Sequence, residues 1–198
     1  MDELILPEET ELCKLALKYG ADKCPKICHM YTPSYYEFLL PYKNTFKKVL
    51  EVGVGNNRQV AAIPGCYIGA SLRMWRDFFP NAMVYGGDNK PECIIEDERL
   101  KTFYCDETVE EDIKKLVEQT GSDIDFVVDD ACHHMGHQVF LFKTLFPLLK
   151  KECIYFIEDC RRTRRVMAMF PQYNSFAMKF LPNPRPLGHD GVVVFTKK

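Results

Sequence analysis

The chain has 198 residues, 46% hydrophobic and 13% aromatic, enough to bury one substantial core in a single globular unit. Its 26 Lys and Arg against 28 Asp and Glu give a net charge of −2, which argues against the broad positive field behind nonspecific nucleic-acid binding. No stretch approaches the roughly 20 apolar residues of a membrane span, and the acidic N-terminus, broken at Pro7, lacks the flank and length of a signal peptide. The expectation is a soluble, cytoplasmic protein with no membrane and no nucleic-acid partner. Nine cysteines, odd in number and scattered, read as free and mostly buried thiols rather than a disulfide framework. Cys24, Cys28 and His29 lack the spacing of a zinc finger.

In chain order, residues 1–47 read as an N-terminal helical segment, with a helix over 8–18, an irregular stretch and a helix over 35–40. Its aromatic side chains make it a candidate homo-oligomer interface. Residues 48–198 alternate strand and helix and read as one globular domain. A buried strand at 48–53 runs into a loop punctuated by Gly55, Pro64 and Gly65, and a helix follows over 71–79. Strands at 83–88 and 102–105 precede a helix over 109–120 that ends at Gly121. Strands at 124–128 and 153–157 enclose a helix over 137–149. Segments 175–180 and 192–196, joined through the Pro- and Gly-rich residues 182–191, look like a closing hairpin. Strands separated by helices imply an α/β fold with a parallel sheet and right-handed crossovers.

In such a sheet, ligands bind outside the carboxyl ends of the strands, where the strand order reverses. Those ends carry Glu51-Val-Gly53, Asp88, Asp106, Asp129-Asp130 and Glu158-Asp159, so every strand delivers an acid to one rim. Together with His133, the later acids make a hard-cation site beside a general base. Glu51-x-Gly53-x-Gly55 resembles a nucleotide-cofactor loop without the full GxGxxG spacing, and its glycines could equally serve a tight turn. Asp88 is placed to accept two vicinal ribose hydroxyls or to form a turn before Asn89-Lys90-Pro91. Asp106 could receive a purine amino proton or start the next helix. His134 and His137 compete with His133 as the base.

The runs Val49-Leu-Glu-Val-Gly-Val-Gly55, Gly69-Ala-Ser-Leu-Arg-Met-Trp75, Asp129-Asp-Ala-Cys-His133 and Ile157-Glu-Asp159 together resemble S-adenosylmethionine-dependent methyltransferases of class I. Within them the chain is most similar to the Mg-dependent sugar O-methyltransferases of macrolide biosynthesis, with cephalosporin hydroxylase-like proteins as relatives. Lys18-Tyr-Gly-Ala-Asp-Lys23 and Tyr31-Thr-Pro-Ser-Tyr-Tyr-Glu37 also resemble that group, so the likeness spans residues 18 to 160. It implies a Rossmann-like, doubly wound, mostly parallel seven-stranded sheet with an antiparallel last strand. It further implies that Asp130, Glu158 and Asp159 ligate Mg²⁺, that His133 is the general base, and that Glu51, Gly53, Ser71, Asp88 and Asp106 bind S-adenosylmethionine.

The implied activity is transfer of a methyl group to a hydroxyl of a sugar, a nucleotide sugar or a similar small-molecule acceptor. Two other readings stand beside it: a catechol- or phenol-type O-methyltransferase, and a noncatalytic S-adenosylmethionine-fold binding module. The chain departs from the family pattern at Ala131-Cys132, where relatives carry Gly-Ser, and at Cys160-Arg-Arg-Thr-Arg-Arg165. Those arginines could hold phosphates or form a solvated helix face.

Overall fold

A computed structural model of the protein describes residues 8–55, 57, 65–180 and 191–198. Helix α1 (Glu11–Tyr19) starts at Thr10, whose side chain accepts from the Cys13 amide at 3.2 Å, and ends at Gly20 with φ 71°. A Cβ at Gly20 would lie 2.3 Å from the Gly65 carbonyl oxygen, so glycine is needed where the chain turns into residues 21–23. Helix α2 (Tyr31–Leu39) begins four residues before the expected 35. Pro33 falls within its first turn, where a missing N–H breaks no intrahelical bond.

Strand and helix then alternate as expected: β1 (Lys48–Val52), α3 (Ala70–Phe78), β2 (Met83–Asp88), β3 (Glu96–Asp97), β4 (Leu100–Tyr104) and α4 (Glu110–Thr120). They continue with β5 (Phe126–Asp129), α5 (Met135–Leu145), β6 (Ile154–Ile157), α6 (Thr163–Ala168), β7 (Asn174–Ala177) and β8 (Val193–Thr196). Helix α5 stops at 145 instead of 149 because Pro147 continues the chain as a single 3-10 turn over Phe146–Leu148. The expected loop residue Pro64 and residues 182–190 of the expected hairpin lie outside the described residues, but the two strands on either side, β7 and β8, do pair antiparallel.

Among the described residues the sheet runs β3-β4-β2-β1-β5-β6-β8-β7. Strands β4, β2, β1, β5 and β6 are mutually parallel, and β8 is antiparallel to both neighbours. This is the anticipated seven-stranded arrangement with one addition, the two-residue β3 on the edge beside β4, which is too short to carry a periodic signal. Strand β1 pairs with β2 on one side and β5 on the other, so the chain order reverses there and a crevice opens at their carboxyl ends.

Alternating side chains feed two apolar layers. Val49, Phe126, Val128 and Phe156 pack with Trp75 and Phe78 of α3 and with Leu12, Ala16, Tyr31 and Tyr35 of the leading helices. Leu50, Val127, Tyr155 and Phe195 pack on the opposite face with Ile113 and Leu116 of α4 and Leu141 and Phe142 of α5. The nine cysteines are all free, six of them buried. Among the described residues, no helix is long and apolar enough to cross a membrane.

Candidate active site

The crevice is a cavity of about 780 Å³ lined by Gly53, Ser71, Asp88, Glu107, Asp130, Cys132, His133 and Asp159, with Asp22 and His29 from the leading segment. Gly53 follows β1 with φ 98°, and a Cβ there would lie 2.1 Å from the Asp130 carbonyl oxygen. The loops after β1 and β5 can approach this closely only with glycine at 53. Asp88, the last residue of β2, is pinned by the Val54 amide on Oδ2 at 2.9 Å and the Lys90 amide on Oδ1 at 3.0 Å.

Of the residues expected to hold a cofactor, Gly53, Ser71 and Asp88 line the cavity; Glu51 and Asp106 do not. Glu51 is fully buried and turns away from the crevice to α3, where Ser71 and Trp75, one turn apart on the same helix face, donate to its two oxygens. Burial pushes the Glu51 carboxyl up to about 7, against the pull of Lys23 and these donors. Asp106 accepts from the amide and hydroxyl of Thr108, the local turn that launches α4.

The acids after β5 and β6 converge with His133. His133 Nε2 lies 3.0 Å from Asp130 Oδ1, and Nδ1 lies 3.2 Å from Asp159 Oδ2, so the imidazole bridges two carboxylates. Burial disfavours its charged form, yet the hydrogen bond and charge of Asp130, with Asp159 and Glu158 behind it, raise its pKa to about 9. His133 and Asp159 both adopt left-handed backbone, φ 59° and φ 50°. Such conformations cost on the order of 1–3 kcal/mol each for non-glycine residues and collect at functional sites.

Sequence reasoning missed the groups that hold these acids in place. Lys23, almost fully buried, donates to Asp130 Oδ2 and to Glu158 Oε2, both at 2.6 Å. Burial works against its charge, but the surrounding carboxylates raise its pKa well above the ordinary lysine value, so it is a cation. Tyr35 donates to Glu158 Oε1 at 2.9 Å, and Tyr31 donates to Asp159 Oδ1 at 2.5 Å. Glu158 is therefore buried with both oxygens engaged, and it does not line the cavity. Asp130 is held ionised by Lys23 and His133 despite its burial. Asp129 is buried beneath the rim; its Oδ2 has no hydrogen-bond partner among the described residues, and burial raises its pKa to about 8. The competing histidines sit elsewhere. His137 faces Glu107 and Cys132, and His134 packs edge-on against His137. Arg161, Arg162, Arg164 and Arg165 are exposed and none lines the cavity.

Strand order, crevice and glycine-lined floor are those of the class I S-adenosylmethionine-dependent methyltransferase fold. The chain is a homologue of sugar O-methyltransferases from tetracenomycin and macrolide pathways. It is 35% identical over 148 residues to the 8-demethyl-8-alpha-L-rhamnosyl tetracenomycin-C 2'-O-methyltransferase of Streptomyces olivaceus, covering 75% of this chain and 37% of that protein. To the mycinamicin VI 2''-O-methyltransferase of Micromonospora griseorubida it is 32% identical over 149 residues, 75% of this chain and 36% of the relative. The chain thus spans little more than a third of the curated relatives it matches. No family model matches it. Among solved structures it is similar to the MycE methyltransferase of the mycinamycin pathway in complex with Mg, SAH and mycinamycin VI. That likeness has a TM-score of 0.73 at 23% identity and covers 96% of this chain and 56% of MycE. An O-methyltransferase from Bacillus cereus in complex with SAH superposes at TM-score 0.59 and 13% identity, over 98% of this chain and 94% of that one.

Proposed function

We propose that the protein is an S-adenosylmethionine- and Mg²⁺-dependent O-methyltransferase acting on a hydroxyl of a sugar or sugar-bearing small molecule, with His133 as general base. The observation that carries this reading is the bridge of His133 between Asp130 and Asp159 on the wall of a cavity that Gly53 and Asp88 also line.

The donor sets fit both groups. A cavity of about 780 Å³ suits a nucleoside-sized ligand beside an acceptor. The pinned Asp88 carboxylate can take the ribose hydroxyls, and Gly53, which lets the loops after β1 and β5 close on each other, lines the same cavity. Asp130 and Asp159 present hard oxygen donors suited to Mg²⁺. Glu158 is buried behind them on Lys23 and Tyr35 and does not line the cavity, so its service as a ligand requires it to move toward the rim. When bound, Mg²⁺ lends Lewis acidity to the acceptor hydroxyl and S-adenosylmethionine supplies the methyl group.

The chain's own residues then orient and deprotonate. Asp159 holds Nδ1 and Asp130 holds Nε2, so the ring is fixed from both sides; Nε2 takes the hydroxyl proton once the imidazole is neutral and its bond to Asp130 gives way to the acceptor. Tyr31 and Lys23 keep Asp159 and Asp130 from swinging out of register. The leading segment also closes one side of the crevice through Asp22 and His29, which limits water beside the reacting hydroxyl.

A sugar fits the lining better than a phenol does. Tyr67 is the single Phe, Tyr or Trp among the described residues lining the cavity, so the aromatic walls that would favour a catechol are lacking there. The test is release of S-adenosylhomocysteine with a panel of glycosides, nucleotide sugars and catechols. Turnover with sugar-bearing acceptors supports the reading; turnover with catechols alone would replace it.

A further inference from the structure

Glu107, Cys132 and His137 form a second cluster of metal-ligand side chains that the reaction above leaves unused. Glu107 comes from the turn after β4, Cys132 from the loop after β5, and His137 from the first turn of α5. Cys132 Sγ lies 3.0 Å from His137 Nδ1, and His137 Nδ1 lies 3.3 Å from Glu107 Oε1. All three donor atoms fall within 4.8 Å of one another. None of these side chains belongs to the Asp130, His133 and Asp159 group, although Glu107 and Cys132 line the same cavity.

We propose that Glu107, Cys132 and His137 bind a borderline-soft divalent cation, zinc by preference, in a site separate from the magnesium rim. Zinc bonds of about 2.0 Å to nitrogen and oxygen and about 2.3 Å to sulfur place tetrahedral ligands about 3.3–3.5 Å apart. The separations of 3.0 and 3.3 Å reach that spacing with movements of a few tenths of an ångström. One thiol, one imidazole and one carboxylate are three ligands from three chain segments, and water completes the tetrahedron. The softness of the donors separates the two sites. Sulfur and nitrogen favour zinc over magnesium, while the Asp130 and Asp159 carboxylates of the rim suit a hard cation. Binding displaces the Cys132 proton to solvent, as zinc does with coordinating thiols, and no redox partner is involved. His137 and Cys132 are partly or fully exposed, so the cation has a path to the site, whereas the buried Glu107 gives the site a fixed anchor.

The test is a titration of the full chain with Co²⁺ and with Zn²⁺ in saturating Mg²⁺. Co²⁺ should produce a sulfur-to-metal charge-transfer band at one equivalent, and Zn²⁺ should abolish it. Cys132→Ser should remove the band, and both Cys132→Ser and His137→Ala should weaken zinc at least about tenfold, with unchanged circular dichroism. Asp130→Asn should leave the band and the zinc affinity in place. A band that persists in Cys132→Ser, or zinc affinity that falls in Asp130→Asn and not in Cys132→Ser, would overturn the proposal.

Discussion

Lys23 reaches Glu158 across 135 positions of sequence, Nζ to Oε2 at 2.6 Å, with side chains 1% and 2% exposed. The same ammonium neutralises Asp130, so the acids of two parallel strands share one cation from the leading segment. Removing one partner of a buried pair leaves an uncompensated charge and costs about 3–5 kcal/mol. Lys23→Met is expected to lose stability in that range by urea denaturation, and adding Glu158→Gln should restore part of it. A loss below about 1 kcal/mol would place the bridge with exposed ion pairs.

His133 touches both rim carboxylates but caps no helix and fills no core position. His133→Ala should therefore lower kcat by about 10²–10⁴, the usual worth of a general base, and leave S-adenosylhomocysteine affinity within a few-fold of wild type. Kinetics paired with calorimetry separate the two effects. Unchanged kcat would remove His133 from the reaction.

Asp88 is positioned by two backbone amides with its carboxylate on the cavity wall. Losing a charged hydrogen-bond acceptor costs about 1.5–3 kcal/mol, so Asp88→Asn should weaken S-adenosylhomocysteine by roughly 10- to 150-fold in calorimetry. Glu51→Gln, whose side chain is turned to Ser71 and Trp75, should affect stability more than cofactor binding.

The strands that build the crevice were legible because parallel central strands are continuous apolar runs, as at Val49-Leu50, Val127-Val128 and Tyr155-Phe156. The acids at their ends followed from register alone. What the chain order hides is long-range: the Lys23 pairings span 107 and 135 positions, and no local pattern marks a lysine as buried. Placing Glu51 on the helix face instead of in the cavity required knowing that Ser71 and Trp75 of α3 pack over β1. Pro33 concealed the start of α2 for a local reason, since a proline reads as a breaker until its place in the first turn is known. The signal that points to the lysine is the charge excess of the rim, whose acids need a cation to coexist in one cluster.

Asp77 links α3 to α1 by accepting from Tyr19 and Lys18, and it also pairs with Arg76. Partial burial opposes its charge, yet those donors lower its pKa to about 2. The unfolded value is about 3.9, so acid protonates the unfolded chain first. The contribution to stability is present above pH about 4 and is lost as the pH falls toward about 2. Thermal melting of Asp77→Asn should show a lower midpoint at neutral pH and a flatter decline across that window. An identical decline in both proteins would assign the acid sensitivity to other carboxylates.

The central claim is metal-assisted methyl transfer at the Asp130, His133 and Asp159 rim. Its most direct measurement is S-adenosylhomocysteine release with a sugar-bearing acceptor, in Mg²⁺, in EDTA and after Mg²⁺ is restored, for wild type and Asp130→Asn. The account predicts turnover that EDTA abolishes and Mg²⁺ recovers, and that Asp130→Asn lacks in every condition. Turnover undiminished by EDTA, or retained in Asp130→Asn, would contradict it.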